Sequence, residues 1–183
     1  MRRSPETRTR ISRSRPQQTD QSFRYDAPMT TPRALVILGS GYTGRWIYKL
    51  AVQQSLPILA SSRRPDRHLS EIDPSRRIRF DLSEPSTWSA LPPDADLIWT
   101  FPATPLEQVQ AFARHSCRPP GRLVVLGSTS AYDREGGPMD DLPPWIDEAH
   151  PINISLPRVQ GEEYLRTHHG AMILRVAGIY GPN

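Results

Sequence analysis

The chain has 183 residues, enough for one domain of ordinary size and a tail. A single cysteine, Cys117, excludes an intrachain disulfide framework, and no apolar run reaches the length of a membrane span. The formal charge is +4, and residues 1–28 carry all of it, with seven Arg against three acids. The remainder is neutral, which argues against a nucleic-acid-binding core.

Residues 1–31 are Arg-rich, poor in acids and without an apolar core segment, so they read as a disordered extension and not as a secretory signal. Their composition also fits an organelle transit peptide loosely; without that role the expected location is cytoplasmic. Ala34–Leu38 is a continuous apolar run ending at a glycine, the mark of a short strand buried on both faces. Gly39–Gly44 (GSGYTG) is a tight turn, and Trp46, Ile47, Leu50 and Ala51 recur at helical spacing, predicting a helix over 42–54.

Ile58–Ser61 predicts a second strand and Ile78–Leu82 a third. A short helical turn is expected over Trp88–Leu91, ended by Pro92-Pro93. Leu97–Phe101 predicts a fourth strand. Pro105 opens a helix through about His115, and Leu123–Leu126 is a fifth strand. Residues 127–156 are polar and rich in Gly, Pro and Asp, as functional loops are. Pro157 starts a helix that Gly170 stops, and Ala171–Val176 is a sixth strand. Strands alternating with helices predict an α/β fold with a doubly wound, mostly parallel sheet of the Rossmann type.

Within that order the spacing Gly39-x-Gly41-x-x-Gly44 acquires meaning. The first glycine permits the tight turn, the second lets backbone approach a pyrophosphate, and the third lets helix and strand pack closely. The amides of Ser40, Tyr42 and Thr43 then join those of the glycines around the phosphates at the helix start. An acid about 20 residues on would accept hydrogen bonds from the adenosine ribose. Here Ser61-Ser62-Arg63-Arg64 fills that place. Arg63 suits a 2′-phosphate through its planar fork, which favours NADP over NAD, and Arg64 is expected to face solvent. Asp81 either caps the next turn or meets the adenine side. The domain expected over residues 32–183 is therefore an NAD(P)-binding one.

Several further strings follow in order: Asp81-Leu82 after strand three, Leu123-Val-Val-Leu-Gly-Ser-Thr-Ser-Ala-Tyr132 at strand five, Ile146-Asp147-Glu148 before Pro151, and Leu174-Arg-Val-Ala-Gly-Ile-Tyr-Gly-Pro182. With the glycine turn they resemble the extended short-chain dehydrogenase/reductase family, the NAD-dependent epimerase/dehydratase group, from Arg33 onward. That resemblance implies oxidoreductase or epimerase-like chemistry on a small substrate bearing a hydroxyl or carbonyl, using a Ser, a Tyr and a Lys. It puts the serine at Ser128. Counting back from Glu162, the tyrosine place falls on Ile154 and the lysine place on Arg158. Ile154 has no proton to give, whereas Arg158 keeps a charge near the cofactor ribose. Tyr132 is an available phenol but a separate feature in that family. The resemblance also sets Pro102 beside the nicotinamide ribose, as a stiff wall poor in donors.

Three readings stay open: an NADP(H)-dependent enzyme, a non-catalytic dinucleotide-binding or regulatory protein, and a truncated inactive fragment. Family chains continue beyond the last string and build a substrate lobe there, so the domain is expected to be C-terminally incomplete. A bare sixth strand would expose apolar surface, inviting a homodimer or another partner at that edge. His115, His150, His168, His169 and Cys117 make no metal-ligand pattern, the paired acids Asp140-Asp141 and Asp147-Glu148 read as caps and solvated charge, and Trp88, Trp99 and Trp145 read as packing groups.

Overall fold

The computed structural model describes residues 33–116, 121–132 and 147–179; the expectations for residues 1–31, Cys117, Asp140-Asp141, Trp145 and the end of the last string lie outside them. Six strands, β1 (Leu35–Leu38), β2 (Ile58–Ser62), β3 (Arg77–Arg79), β4 (Asp96–Trp99), β5 (Leu123–Ser128) and β6 (Met172–Val176), form one sheet in the order β3-β2-β1-β4-β5-β6. Every neighbouring pair is parallel. The helices are α1 (Tyr42–Gln53), α2 (Pro65–His68), α3 (Leu106–Ser116) and α4 (Pro157–His169). The order reverses direction at β1, between β2 and β4, so this is the doubly wound Rossmann-type α/β fold.

Alternation along the strands divides the core in two. Val36, Leu38, Leu97, Trp99, Leu123 and Val125 face Val109, Phe112 and Leu165 of α3 and α4. Ile37 and Ile58 face Ala51 of α1, with Leu35, Ile47 and Tyr48 packed beside them. Trp99 and Phe112 are fully buried, with ring centroids 5.5 Å apart in an edge-to-face arrangement. Each such side chain contributes about 1.5–3 kcal/mol through burial. Trp88 completes the cluster from the 3-10 turn Pro85–Ala90, so the packing role expected of Trp88 and Trp99 is what the fold uses.

Local chemistry sets the ends of the elements. Helix α4 has Pro157 in its first turn and ends on Gly170 at φ +63°, the left-handed conformation that suits glycine. Strand β3 is shorter than the apolar run Ile78–Leu82 predicts. The amide of Phe80 still donates to the Ser62 carbonyl, but the chain then turns at Asp81. There the carbonyl of Asp81 accepts from Thr87 Oγ1 and Trp88 Nε1, while its Oδ1 accepts from Ser83. Strand β4 likewise stops at Trp99: Thr100 N donates to the Leu38 carbonyl, and Phe101-Pro102 leaves the sheet.

The stripe predicted on α1 is narrower in fact. Ala51 is buried, whereas Trp46 and Leu50 are exposed. Strand β6 is the sheet edge, with Met172 and Leu174 exposed on one face. Among the described residues no helix is long and apolar enough to cross a membrane.

Candidate functional site

The carboxyl ends of β1, β2, β4 and β5 converge on the switch point, and the residues singled out from the sequence collect there in two groups. The first surrounds the glycine turn. Gly39 has φ +84°, and a Cβ on it would lie 2.6 Å from Cδ1 of Phe101, so both backbone and packing require glycine. Gly44 is tight against the sheet: its Cβ would meet the Gly39 carbonyl oxygen and Ile37 Cγ2, each at 3.1 Å. Gly41 differs, because a Cβ there would meet nothing within 4 Å. Backbone and packing thus require glycine at Gly39, packing alone presses on Gly44, and Gly41 faces open space.

Gly41 is the N-cap of α1, with no side-chain cap and no acid in the first turn, so the positive end of the helix is not offset there. Ser61 pins the turn from below. Its hydroxyl accepts from Gly39 N at 3.2 Å, and its carbonyl accepts from Ser40 N at 2.8 Å. Thr100 Oγ1 donates to the Gly39 carbonyl from the other side. Ser40 is buried with an unpartnered hydroxyl, Thr43 is half-buried, and Tyr42 is exposed.

At the end of β2, Arg63 and Arg64 are both exposed, and neither forms an ion pair among the described residues. Ser62 Oγ lies 2.9 Å from Nδ1 of His68 and accepts from Arg64 N at 3.3 Å. Asp81 closes its own turn, accepting from Ser83 N at 2.9 Å and Ser83 Oγ at 2.6 Å. The Ser83 hydroxyl holds its carboxyl below the usual range, helped by the nearby charges of Arg63 and Arg79. The capping role is therefore filled, and the same carboxylate lies within electrostatic reach of Arg63.

The second group stands at the end of β5. Ser128 caps the 3-10 turn Thr129–Ala131, accepting from Ser130 N. Its hydroxyl is 3.1 Å from Ser130 Oγ, and Arg158 Nη2 donates to that same Ser130 hydroxyl at 2.5 Å. Ser128 and Arg158 are thus joined through Ser130. Ile154 is 57% exposed in the segment before α4, where Asn153 Oδ1 accepts from Ser155 N. Tyr132 pairs with Ile152 in an isolated antiparallel bridge, and the Arg175 guanidinium lies 5.4 Å from its ring centroid. Pro102 is exposed, between Phe101 and the buried Ala103.

Behind this group α4 packs unusually close. A Cβ on Gly161 would lie 1.9 Å from the Ala103 carbonyl oxygen. A Cβ on Gly127 would meet both carboxylate oxygens of Glu162 at 3.0 Å. Glu162 is 2% exposed and its Oε2 has no partner. Burial pushes its carboxyl above the usual range, against the pull of Arg175 and Arg158.

The contacts made by Ser61, Phe101, Ser130 and Gly161 were not read from the sequence. Only Gly161 carried a signal, since a glycine inside a helix often has a packing reason.

No family model matches the chain, and no curated protein matches it. Solved structures share the fold. A short-chain dehydrogenase/reductase superfamily protein from Agrobacterium tumefaciens, with bound NAD, aligns at TM-score 0.58 and 16% identity over 78% of this chain and 48% of that one. A protein described as an NAD-dependent epimerase/dehydratase from Methylobacillus flagellatus aligns at TM-score 0.57 and 19% identity, over 84% and 56%. Pal from Bacillus thuringiensis aligns at 0.52 and 15%, over 78% and 55%. The chain spans about half the length of these proteins.

Proposed function

We propose that residues 32–183 form a domain that binds a nicotinamide dinucleotide, NADP in preference to NAD, with its pyrophosphate over the turn Gly39–Gly44. The observation that carries this reading is the contrast within the turn. Gly39 and Gly44 are enclosed, whereas Gly41 has open space in front of it at the uncapped start of α1, its own amide turned back to the Gly39 carbonyl at 2.8 Å. The NAD bound in the Agrobacterium protein of the same fold supports a dinucleotide in general. Preference for the 2′-phosphate rests on Arg63 and on the absence of an acid over Ser61–Arg64.

The bound group would supply a hydride donor or acceptor at the end of β5. This chain's residues bind and orient there: Ser128 and Ser130 offer hydroxyls, Arg158 a fixed positive charge, and Pro102 a wall. Ile154 supplies no titratable proton where the resembling family has its phenol. The reading is therefore dinucleotide binding without the usual Tyr/Lys proton transfer, which favours a binding or regulatory role over epimerase/dehydratase turnover.

Titrating the full chain with NADPH and with NADH, read by cofactor fluorescence, tests both parts. Gly41→Ala is expected to weaken both about tenfold or more, by filling the open space, while the unfolding free energy stays within about 0.5 kcal/mol of wild type. Arg63→Ala is expected to cost NADPH tenfold or more, in line with losing about 1.5–3 kcal/mol of charged hydrogen bonding, and to spare NADH. Tighter binding of NADH than NADPH overturns the role of Arg63. Failure of both cofactors to bind overturns the domain assignment.

A further inference from the structure

Arg158 differs from the other cations near it. Arg175 and Arg166 both pair with Glu163, at 3.2 and 2.7 Å. Among the described residues the Arg158 side chain makes no ion pair, and its one hydrogen bond goes to the hydroxyl of Ser130. Glu162, one turn further along α4, does not neutralise it by contact, because its carboxyl is turned into the core against Gly127. Arg158 as a residue is half-buried, and its guanidinium reaches the exposed Ser130 hydroxyl at the surface of the site. Two linked hydroxyls, Ser128 and Ser130, stand beside it at 3.1 Å from each other. Ser128 ends β5, so the group stands on the carboxyl-end side of the sheet, the side on which open α/β sheets take their ligands.

A guanidinium anchored through one nitrogen keeps its remaining N–H groups for a planar, two-oxygen acceptor. An isoleucine in place of a phenol leaves no acid or base there, while the arginine keeps the charge. The pattern suits recognition of an anion better than proton transfer. We propose that Arg158, Ser130 and Ser128 form an oxyanion subsite, which binds the carboxylate or phosphate of a small second ligand beside the dinucleotide. Its placement beside the nicotinamide rests on the dinucleotide reading above; the anion contact itself does not.

The test uses the full chain saturated with NADP+, so that the other phosphate-binding places are filled. Pyruvate and its neutral counterpart pyruvamide are followed by saturation-transfer NMR of their methyl groups, with inorganic phosphate as competitor. Pyruvate is expected to bind and pyruvamide not. Arg158→Gln should weaken pyruvate about tenfold or more, through loss of a charge-assisted paired contact. Arg158→Lys should lose less, since it keeps the charge without the fork. Ser130→Ala, which removes the anchor and leaves the cation, should weaken pyruvate severalfold. Circular dichroism of each variant checks that it is folded.

Binding of pyruvate through Arg158 identifies a carboxylate ligand. Binding of phosphate alone through Arg158, read from phosphorus line width, identifies a phosphorylated one. Equal binding to wild type and Arg158→Gln, equal binding of pyruvamide, or binding of neither anion overturns the subsite. If NADPH fails to bind while pyruvate still binds to the cofactor-free chain through Arg158, the dinucleotide reading falls and the subsite stands. If NADPH binds and neither anion does, only the subsite falls.

Discussion

Gly161 poses a contest between two known effects of opposite sign. It lies in the interior of α4, where Gly→Ala ordinarily stabilises a helix by about 0.5–1 kcal/mol. Here, however, the new methyl would sit 1.9 Å from the Ala103 carbonyl oxygen, and contacts of real Cβ atoms stay above 3.0 Å. Helix and loop would have to part by more than an ångström. The obstacle is backbone, and Ala103 is buried at 1% exposure, so no side-chain rotation relieves it. Overpacking of this kind costs about 1–3 kcal/mol, and a rigid carbonyl places it at the upper end.

The expected net effect of Gly161→Ala is a loss of about 2 kcal/mol. At about 2–4 °C per kcal/mol for a chain of this size, the melting temperature falls by about 4–8 °C. Urea unfolding followed by tryptophan fluorescence measures it, with Gln160→Ala on the same helix as a control for propensity alone. A Gly161→Ala protein as stable as wild type, or more so, would refute the close approach of α4 to the β4–α3 loop.

Glu162→Gln should reveal the cost of the buried carboxyl through pH. Because the folded-state pKa is raised by burial, the folded protein holds its proton at pH values where the unfolded chain has lost it. Wild-type stability contributed by this group is therefore fully present below the ordinary carboxylate value and is lost as pH rises through the folded-state value. The stability of the glutamine variant relative to wild type should increase from pH 4 upward, in urea midpoints taken across pH 4–8; a difference that does not vary with pH contradicts the assignment. Glu163→Gln removes the partner of Arg175, whose side chain is 14% exposed. The unpaired cation should cost about 1–3 kcal/mol in the same unfolding assay. Arg166→Gln, which breaks the exposed pair to the same carboxylate, should cost under about 1 kcal/mol.

Apolar runs announced burial more reliably than they announced strands. Phe80 and Leu82 are buried as their run predicts, yet they lie beyond the end of β3, on a turn made by hydrogen bonds to Asp81. Phe101 was legible as apolar but not as the ring that closes on Gly39. The spacing of Trp46, Ile47, Leu50 and Ala51 predicted helix α1 correctly, but of that stripe Ile47 and Ala51 turn to β1 and β2 while Trp46 and Leu50 stay exposed. Helix α2, four residues long, is too short for periodicity to show.

The glycine turn was readable because its three residues are neighbours in the chain, and two of them, Gly39 and Gly44, have a steric reason. The supports of the site were not, since they join residues far apart. Ser61 reaches Gly39 across 22 positions and Arg158 reaches Ser130 across 28. Such pairs have no local periodicity, and nothing short of the folded sheet brings them together.

The enclosure of Gly39 by Phe101 also gives the protein an optical sensor. Phe101 touches the turn on one side and lies 4.9 Å from the ring of Trp99 on the other, and that indole is sealed from water. A molecule that settles on the turn and nudges the phenyl ring therefore changes the surroundings of a dry indole. Emission from Trp99, isolated by replacing the remaining tryptophans with phenylalanine, would register a molecule held at that turn with no dye attached.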